Sequence, residues 1–543
     1  MTEPIDQPID SLITDPELVI GLIAAIGTDL ELISSTITET LKSFNYTVDE
    51  IKLSSLLDDI PKYEKLKTVK SESEDVRIDA YMDAGDDLRG STEQPDILAL
   101  LSMKRISNLR KKKEVKKDVE DRDSVEPSNR RAYILNSLKN PKEVSTLRAV
   151  YGEAFLVVSI YAPKAERIKA LGAKIAASKF ETSGGEKYEK IATSLVGKDA
   201  KSKTDELGQD VSGTFPLADI FIRMDTKANL KTNFNRALNL WFQDPRITPS
   251  KDEFGMFQAK AVSLRSADLS RQVGAVIASE NGEILSSGCN EVPKSGGGLY
   301  WEGDSGDDRD FQRGFDQSVK TKESIIGEIL HRLIDNEWLS EQKKNTPVKE
   351  LVNNILYGDD KSVLKDTRVS SIIEFGRIVH AEMAAIVDAA RRGVSIKDST
   401  LYCTTFPCHM CARHIIAAGI KRVVYVEPYP KSMAEELYER SVIVDGRSNE
   451  SKHIDAVLFD PFVGISPEKY MEFFSMPVRK DNCGNNMDWD KRKSSPIIPR
   501  NNAVYIDLEN IAIAWVGENK KSIFDENIKG KWEMPADGDI SIR

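Results

Sequence analysis

The sequence predicts an α/β protein, and three observations predict it. Short apolar runs of strand length alternate with amphipathic helical patterns from residue 18 to about 224, the signature of a parallel sheet covered by helices. The polar stretch FQDPRITPSKDEF, 242–254, carries two prolines and breaks that pattern. Beyond it, a strand–turn–strand signal and further strand–helix pairs begin a second α/β domain. At 543 residues the chain is too long for one ordinary core, so two or three domains are expected.

The elements follow in order. Residues 1–15 are acidic and read as a tail. LVIGLIAAIG, 18–27, is a buried strand entering a glycine turn. The next stretch places Leu30, Ile33, Ile37 and Leu41 on one helical face, with Thr28 or Asp29 as cap. YTVDEIKLSSLL reads as a second strand, and residues 95–109 as a helix leading into a basic run. RAYILNSL, EAFLVVSIYA and LADIFIRM are three more strands. Residues 182–210 are polar and read as a lid or loop. FGMFQAKAVSLRS is helical. QVGAVIAS and GEILSSGCNEVP flank Asn281-Gly282, a strong hairpin signal. Residues 295–320, rich in Gly, Asp and Arg, read as a loop. IVHAEMAAIVDAARRG is a helix closed by Gly393, STLYCTTF a strand, CHMCARHIIAAG a helix closed by Gly419, and KRVVYVEP a strand. The polar C-terminal stretch has no assigned element. The expected division is a tail at 1–15, one α/β domain at 16–248, a second at 249–475 and an extension at 476–543.

Composition bounds the function. A net charge of −11 argues against broad charge-driven binding of nucleic acid. The longest apolar run is ten residues, against roughly 20 for a bilayer span, so no membrane association is expected. Five cysteines, an odd number, make no disulfide framework, and a reducing cytoplasm is the expected compartment.

Three of those cysteines fall between 403 and 411. Cys408 and Cys411 stand three apart at a predicted helix start, where the partial positive charge favours thiolates. Pro407 suits the first turn. His380, in VHAEM, begins another helix with Glu382 two residues on. H-A-E followed by P-C-H-M-C matches the H-x-E…P-C-x-x-C signature of zinc deaminases. On that reading His380, Cys408 and Cys411 bind Zn2+, and Glu382 is the proton-transferring group. Two other readings stay open: a closed structural zinc site completed by His409 or Cys403, and a redox C-x-x-C pair. Cys403 alone reads as a buried strand thiol, and Cys289 and Cys483 as packing residues.

On SRQVGAVIASENGEILSSGCNEVP, HAEMAAI and FPCHMCARHIIAAGIKRVVY, residues of about 254–430 resemble the cytidine and deoxycytidylate deaminase superfamily. The resemblance implies a cytidine-deaminase-like α/β/α domain. It implies that Asn290 contacts the deoxyribose, that the backbone of Ala381 meets the pyrimidine carbonyl, and that Arg271 and Gln272 approach the phosphate. The whole layout resembles the bacterial anti-phage dCTP deaminases, in which a P-loop kinase-like domain precedes the deaminase. That implies free deoxycytidine nucleotides (dCTP, dCMP or both) as substrate, an inhibitory small RNA as partner and a homo-oligomer. Two competing readings are a deaminase acting on cytosine or adenine within RNA or DNA, and a non-enzymatic scaffold with a structural zinc.

The N-terminal turn departs from a working Walker A loop, G-x-x-x-x-G-K-[ST]. In AAIGTDLE, 24–31, Ala24 replaces the first glycine and Leu30 stands at the lysine position. Gly21, Gly27 and Thr28 are the candidate nucleotide contacts, for binding without hydrolysis. Asn136 lies where a Walker B acid is expected. KRISNLRKKKEVKK, 104–117, holds eight basic residues and one acid. It is either a solvated face or a contact for RNA phosphates.

Overall fold

The computed structural model describes residues 16–114, 127–181, 185–200, 207–224, 226–358, 364, 367, 369, 376–427, 432–445, 455–476, 478–497, 505–519 and 523–524. The expected N-terminal tail, the end of the basic run and parts of the 182–210 stretch and the C-terminal extension lie outside these residues; within 182–210, expected as a lid or loop, Glu189–Ala200 is a helix. The chain forms two compact units, residues 1–254 with 461–543, and residues 255–460.

The first unit begins with five strands: β1 (Leu18–Ala24), β2 (Thr47–Lys52), β3 (Arg131–Asn136), β4 (Phe155–Tyr161) and β5 (Ile220–Arg223). They pair in parallel in the order β5-β4-β1-β3-β2, so β1 lies between β3 and β4 at the centre. Burial on both faces explains the unbroken apolar run of β1. Its alternate residues Leu18, Ile20, Leu22 and Ala24 enter one core with Ile33, Ile37, Phe234 and Trp241. The helix Leu30–Lys42 starts at Asp29, whose carboxylate accepts from Leu32 N at 3.1 Å.

The second unit holds β6 (Gly274–Ala278), β7 (Ile284–Cys289), β8 (Thr400–Thr405), β9 (Arg422–Glu427), β10 (Val442–Val444) and β11 (Val457–Pro461) in the order β10-β11-β9-β8-β6-β7. β6 and β7 form the expected antiparallel hairpin, with Gly282 at φ +92° in the turn. β8 and β9 run parallel, joined through the helix His409–Ala417. The helix Ala381–Arg392 lies on β7, and Gly288 permits the approach: a Cβ there would sit 2.6 Å from Ala381 O.

Between β7 and that helix the loop expectation for 295–320 holds only in part. Helix Asp310–Arg313 falls inside it, and the long helix Gln317–Asp335 begins before it ends. Gln317–Asp335 and Val348–Tyr357 close on a small core of Ile326, Leu330, Leu351 and Val352. A two-residue bridge, Glu291 with Val379, then delivers the chain to His380.

After Asp460 the chain returns to the first unit. There β12 (Gly464–Ile465) pairs antiparallel with β5, and the helix Tyr505–Glu518, which no sequence pattern announced, packs on the helices Ile97–Glu114 and Pro141–Tyr151. The expected split at 475/476 therefore falls inside one unit. No helix among the described residues is long and apolar enough to cross a membrane.

Candidate active site

Two helix starts in the second unit build the site. His380 is the N-cap of helix Ala381–Arg392, and Cys408 the N-cap of helix His409–Ala417. Pro407 therefore precedes the cap and does not occupy the first turn. Cys411, one turn on, is fully buried. His380 Nδ1 lies 3.4 Å from Cys408 Sγ and 3.3 Å from Cys411 Sγ. The three ligand atoms lie within 4.8 Å of one another, and neither His409 nor Cys403 belongs to the group. Zn–S bonds of about 2.3 Å and Zn–N bonds of about 2.0 Å put tetrahedral neighbours roughly 3.6 Å apart. One imidazole and two sulfurs at these separations therefore fit zinc.

The electrostatics agree with that donor set. The Cys408 thiol is pulled down to about 4, first by its hydrogen bond with Cys411 and then by His380. The His380 imidazole is raised by its hydrogen bond to Cys408. Cys411 is raised as the proton-holding partner of Cys408, and by burial. The lowered thiol favours the thiolate form that binds metal, and a dication would take over the role of the proton the two sulfurs share. Burial raises Glu382, with the neighbouring Cys408 charge adding to it.

These groups open on a cavity of about 360 Å³, in the size range of small-ligand sites. Of the residues expected there, His380, Cys408, Glu382, Ala381, Asn290 and Arg271 line it. The Asn290 amide is engaged by the loop that precedes β6: Oδ1 accepts from Val273 N at 2.7 Å, and Nδ2 donates to Asp268 and to Arg271 O. It shapes the rim that carries Arg271. Arg271 lies 3.5 Å from Glu427. Gln272 does not line the cavity; its amide turns back to Ser266 O at 2.7 Å. Cys403 is a buried strand thiol raised by burial, as expected, and Cys483 is exposed in a turn rather than packed.

Among the wall residues that sequence reasoning missed, three stand out. Thr405 sits three before Cys408, and its buried hydroxyl has no hydrogen-bond partner; its place in TTFPC was the available signal. Asp310 and Arg377 come from the stretch between β7 and His380, paired at 2.8 Å, and no motif marks them.

In the first unit, Gly27 and Thr28 lie at the carboxyl end of β1 and line a separate cavity. Gly27 has φ +87°, and a Cβ there would meet Arg167 O at 2.5 Å. The Thr28 hydroxyl is taken by Ala25 O at 2.7 Å. Gly21 does not reach the loop. It lies within β1, where a Cβ would meet Leu138 at 2.6 Å, so close packing accounts for it. Asn136, at the end of β3, donates to Glu50 at 2.8 Å.

A nitrogen–sulfur zinc set beside a buried carboxylate, at the head of a mixed sheet, defines a zinc-dependent hydrolytic enzyme. The family described as the cytidine and deoxycytidylate deaminase zinc-binding region matches residues 249–427. The deoxycytidylate deaminases of Enterobacteria phages T2 and T4 are each 32% identical over 178 residues, spanning 32% of this chain and 78% and 76% of theirs. A crystal structure of the dCMP deaminase from cyanophage S-TIM5 in complex with dCMP and dUMP aligns at 20% identity over 40% of this chain and 99% of that one, with a TM-score of 0.21. The chain belongs to the cytidine and deoxycytidylate deaminase family.

Proposed function

We propose that the protein hydrolytically deaminates free deoxycytidine nucleotides, dCMP or dCTP, to the uracil nucleotide and ammonia. The observation that carries this reading is the position of Glu382, buried at the head of the same cavity as His380 and Cys408. His380, Cys408 and Cys411 would hold the zinc, which supplies the Lewis acidity that lets water ionise near neutral pH. Glu382 takes one proton from the attacking water and passes it to the ring nitrogen, then takes the second from the hydroxyl now on the ring carbon and gives it to the departing amine, which leaves as ammonia. The Ala381 N–H, in the first helical turn, has no intrahelical acceptor and donates to the pyrimidine carbonyl. Thr405 and Phe406 complete the wall around the base, and Arg271 stands at the phosphate side.

Free nucleotide is favoured over polynucleotide because Asp310, Asp316, Ser318 and residues 376–378 help to wall the cavity, which suits a small ligand that it can enclose. The phage relatives support the monophosphate. The layout of a parallel α/β unit joined to a deaminase supports a P-loop kinase-like first unit. The wider reading, which rests on the resemblance of the whole layout, is a cytoplasmic homo-oligomer that depletes deoxycytidine nucleotides during phage infection and is restrained by a small RNA. Incubation of the purified protein with dCMP, dCTP, CMP, CTP and single-stranded oligonucleotides tests the substrate class. Uracil forming in the deoxynucleotides supports it, and uracil or inosine confined to the oligonucleotides refutes it.

A further inference from the structure

One wall of the site cavity carries an anion of the chain's own. Asp310 has both oxygens engaged: Oδ1 accepts from Arg377 Nη1 at 2.8 Å, and Oδ2 from Gln317 N at 3.2 Å. Gln317 opens the long helix Gln317–Asp335, and the next two N–H groups, of Ser318 and Val319, go to the Asp316 cap. Arg377 is bound further by Asp308, through its main-chain O at 2.9 Å and through its carboxylate. Guanidinium groups and helix N-termini are common receivers of phosphate oxygens. On this wall carboxylates have taken both.

With the base held at Glu382, the sugar and phosphate of a nucleotide lie along the rest of the lining. The guanidinium groups there are those of Arg271 and Arg377, and they are not equivalent. The Arg271 side chain is 48% exposed and meets Glu427 at 3.5 Å, a loose pair at the surface. The Arg377 side chain is 21% exposed and tied to two carboxylates, yet it is the member of the Asp310–Arg377 pair that a phosphate can reach. Asp310 is 4% exposed, so it acts on a bound nucleotide by charge through the wall and not by contact. Every charge added to the phosphate tail raises that repulsion, so a carboxylate in this place discriminates by tail length.

We propose that Asp310, acting on Arg377, sets the cavity's preference among nucleotides of different phosphate number. Its carboxylate neutralises the guanidinium and adds a negative charge that a triphosphate feels more strongly than a monophosphate. The inference rests on the deoxycytidine-nucleotide reading and deepens it. The test compares KM for dCMP and dCTP in the zinc-loaded full-length protein, in magnesium-free buffer, for Asp310→Asn and Arg377→Gln. Asn keeps an oxygen for Gln317 N and removes only the charge. Asp310→Asn is expected to lower KM for dCTP relative to dCMP about tenfold, and Arg377→Gln to raise it by a similar factor. Dissociation constants of the two nucleotides, measured in a Glu382→Ala background, should show the same opposite shifts. A merely loosened wall would move both variants in one direction and both nucleotides alike. The proposal is overturned if Asp310→Asn leaves the ratio unmoved, or if Arg377→Gln does not shift it the other way. Failure of the deoxycytidine-nucleotide reading looks different: the unaltered protein then deaminates neither nucleotide, and the proposal falls with it.

Discussion

On the proposed reaction Glu382 is the residue on which the chemistry turns, because it is the buried carboxylate beside the possible metal group of His380, Cys408 and Cys411 without being a member of it. Its loss is expected to separate binding from turnover. Glu382→Gln should keep zinc at one equivalent per chain while kcat falls about 10²- to 10⁴-fold, the usual range for a positioned proton-transfer group. Metal analysis alongside a deamination assay checks it; full turnover in that variant would remove Glu382 from the mechanism. This centre was legible in the sequence because H-x-E and P-C-x-x-C fix both residue type and spacing. The walls were not. Asp310 and Arg377 reach the cavity through the fold alone, and Asn290, which the family resemblance assigned to the deoxyribose, spends its amide on the loop before β6.

At the scale of elements, two helices aim their N-termini at one point, and Gly288 sets how closely the first of them rides on β7. A Cβ at 288 would lie 2.4 Å from Ala385 N and 2.6 Å from Ala381 O, backbone atoms with nowhere to go. Gly288→Ala should therefore lift the helix that carries Glu382. The expected result is destabilisation by about 1–3 kcal/mol, with zinc affinity falling in parallel, read by urea unfolding and by competition with a chelator. Unchanged zinc affinity would show that the helix position is not what the metal set depends on. Buried parallel strands such as β1, β3 and β4 were readable as unbroken apolar runs, and the β6–β7 hairpin as Asn-Gly. The helices Gln317–Asp335 and Tyr505–Glu518 were not. The first opens directly from a loop rich in glycine and charge, and the second stands in a stretch otherwise without pattern.

For the whole molecule, the notable fact is that the chain after Asp460 rejoins the first unit, through a two-residue strand and a buried ionic knot. Arg110 binds Glu17 at 2.9 Å and Glu509 at 2.7 Å, and the hydroxyls of Tyr133, Tyr151 and Tyr505 satisfy the same carboxylates. Such long-range pairing leaves no local sequence signal. In the basic run, Arg110 reads as one more surface cation, yet it is 2% exposed. Arg110→Leu leaves two buried carboxylates uncompensated and should destabilise the first unit by about 3–5 kcal/mol, measurable by hydrogen exchange of β1 and β3. Burial raises Glu509 above its ordinary value of 4.5. Between that value and its raised pKa the folded chain holds a proton that the unfolded chain has released. The contribution of Glu509 to stability is therefore fullest below about pH 4.5 and declines as pH rises through the folded pKa. Relative to Glu509→Gln, the wild-type protein should lose stability over that interval; parallel profiles would show that Glu509 does not titrate there.

The central claim is that His380, Cys408 and Cys411 hold one zinc and leave one position open beside Glu382. X-ray absorption at the zinc edge of the purified protein tests it most directly. The account predicts two sulfur ligands at about 2.3 Å and two nitrogen or oxygen ligands at about 2.0–2.1 Å, of which His380→Ala removes the imidazole component. A third sulfur, or a second imidazole from His409 closing the shell, would contradict it.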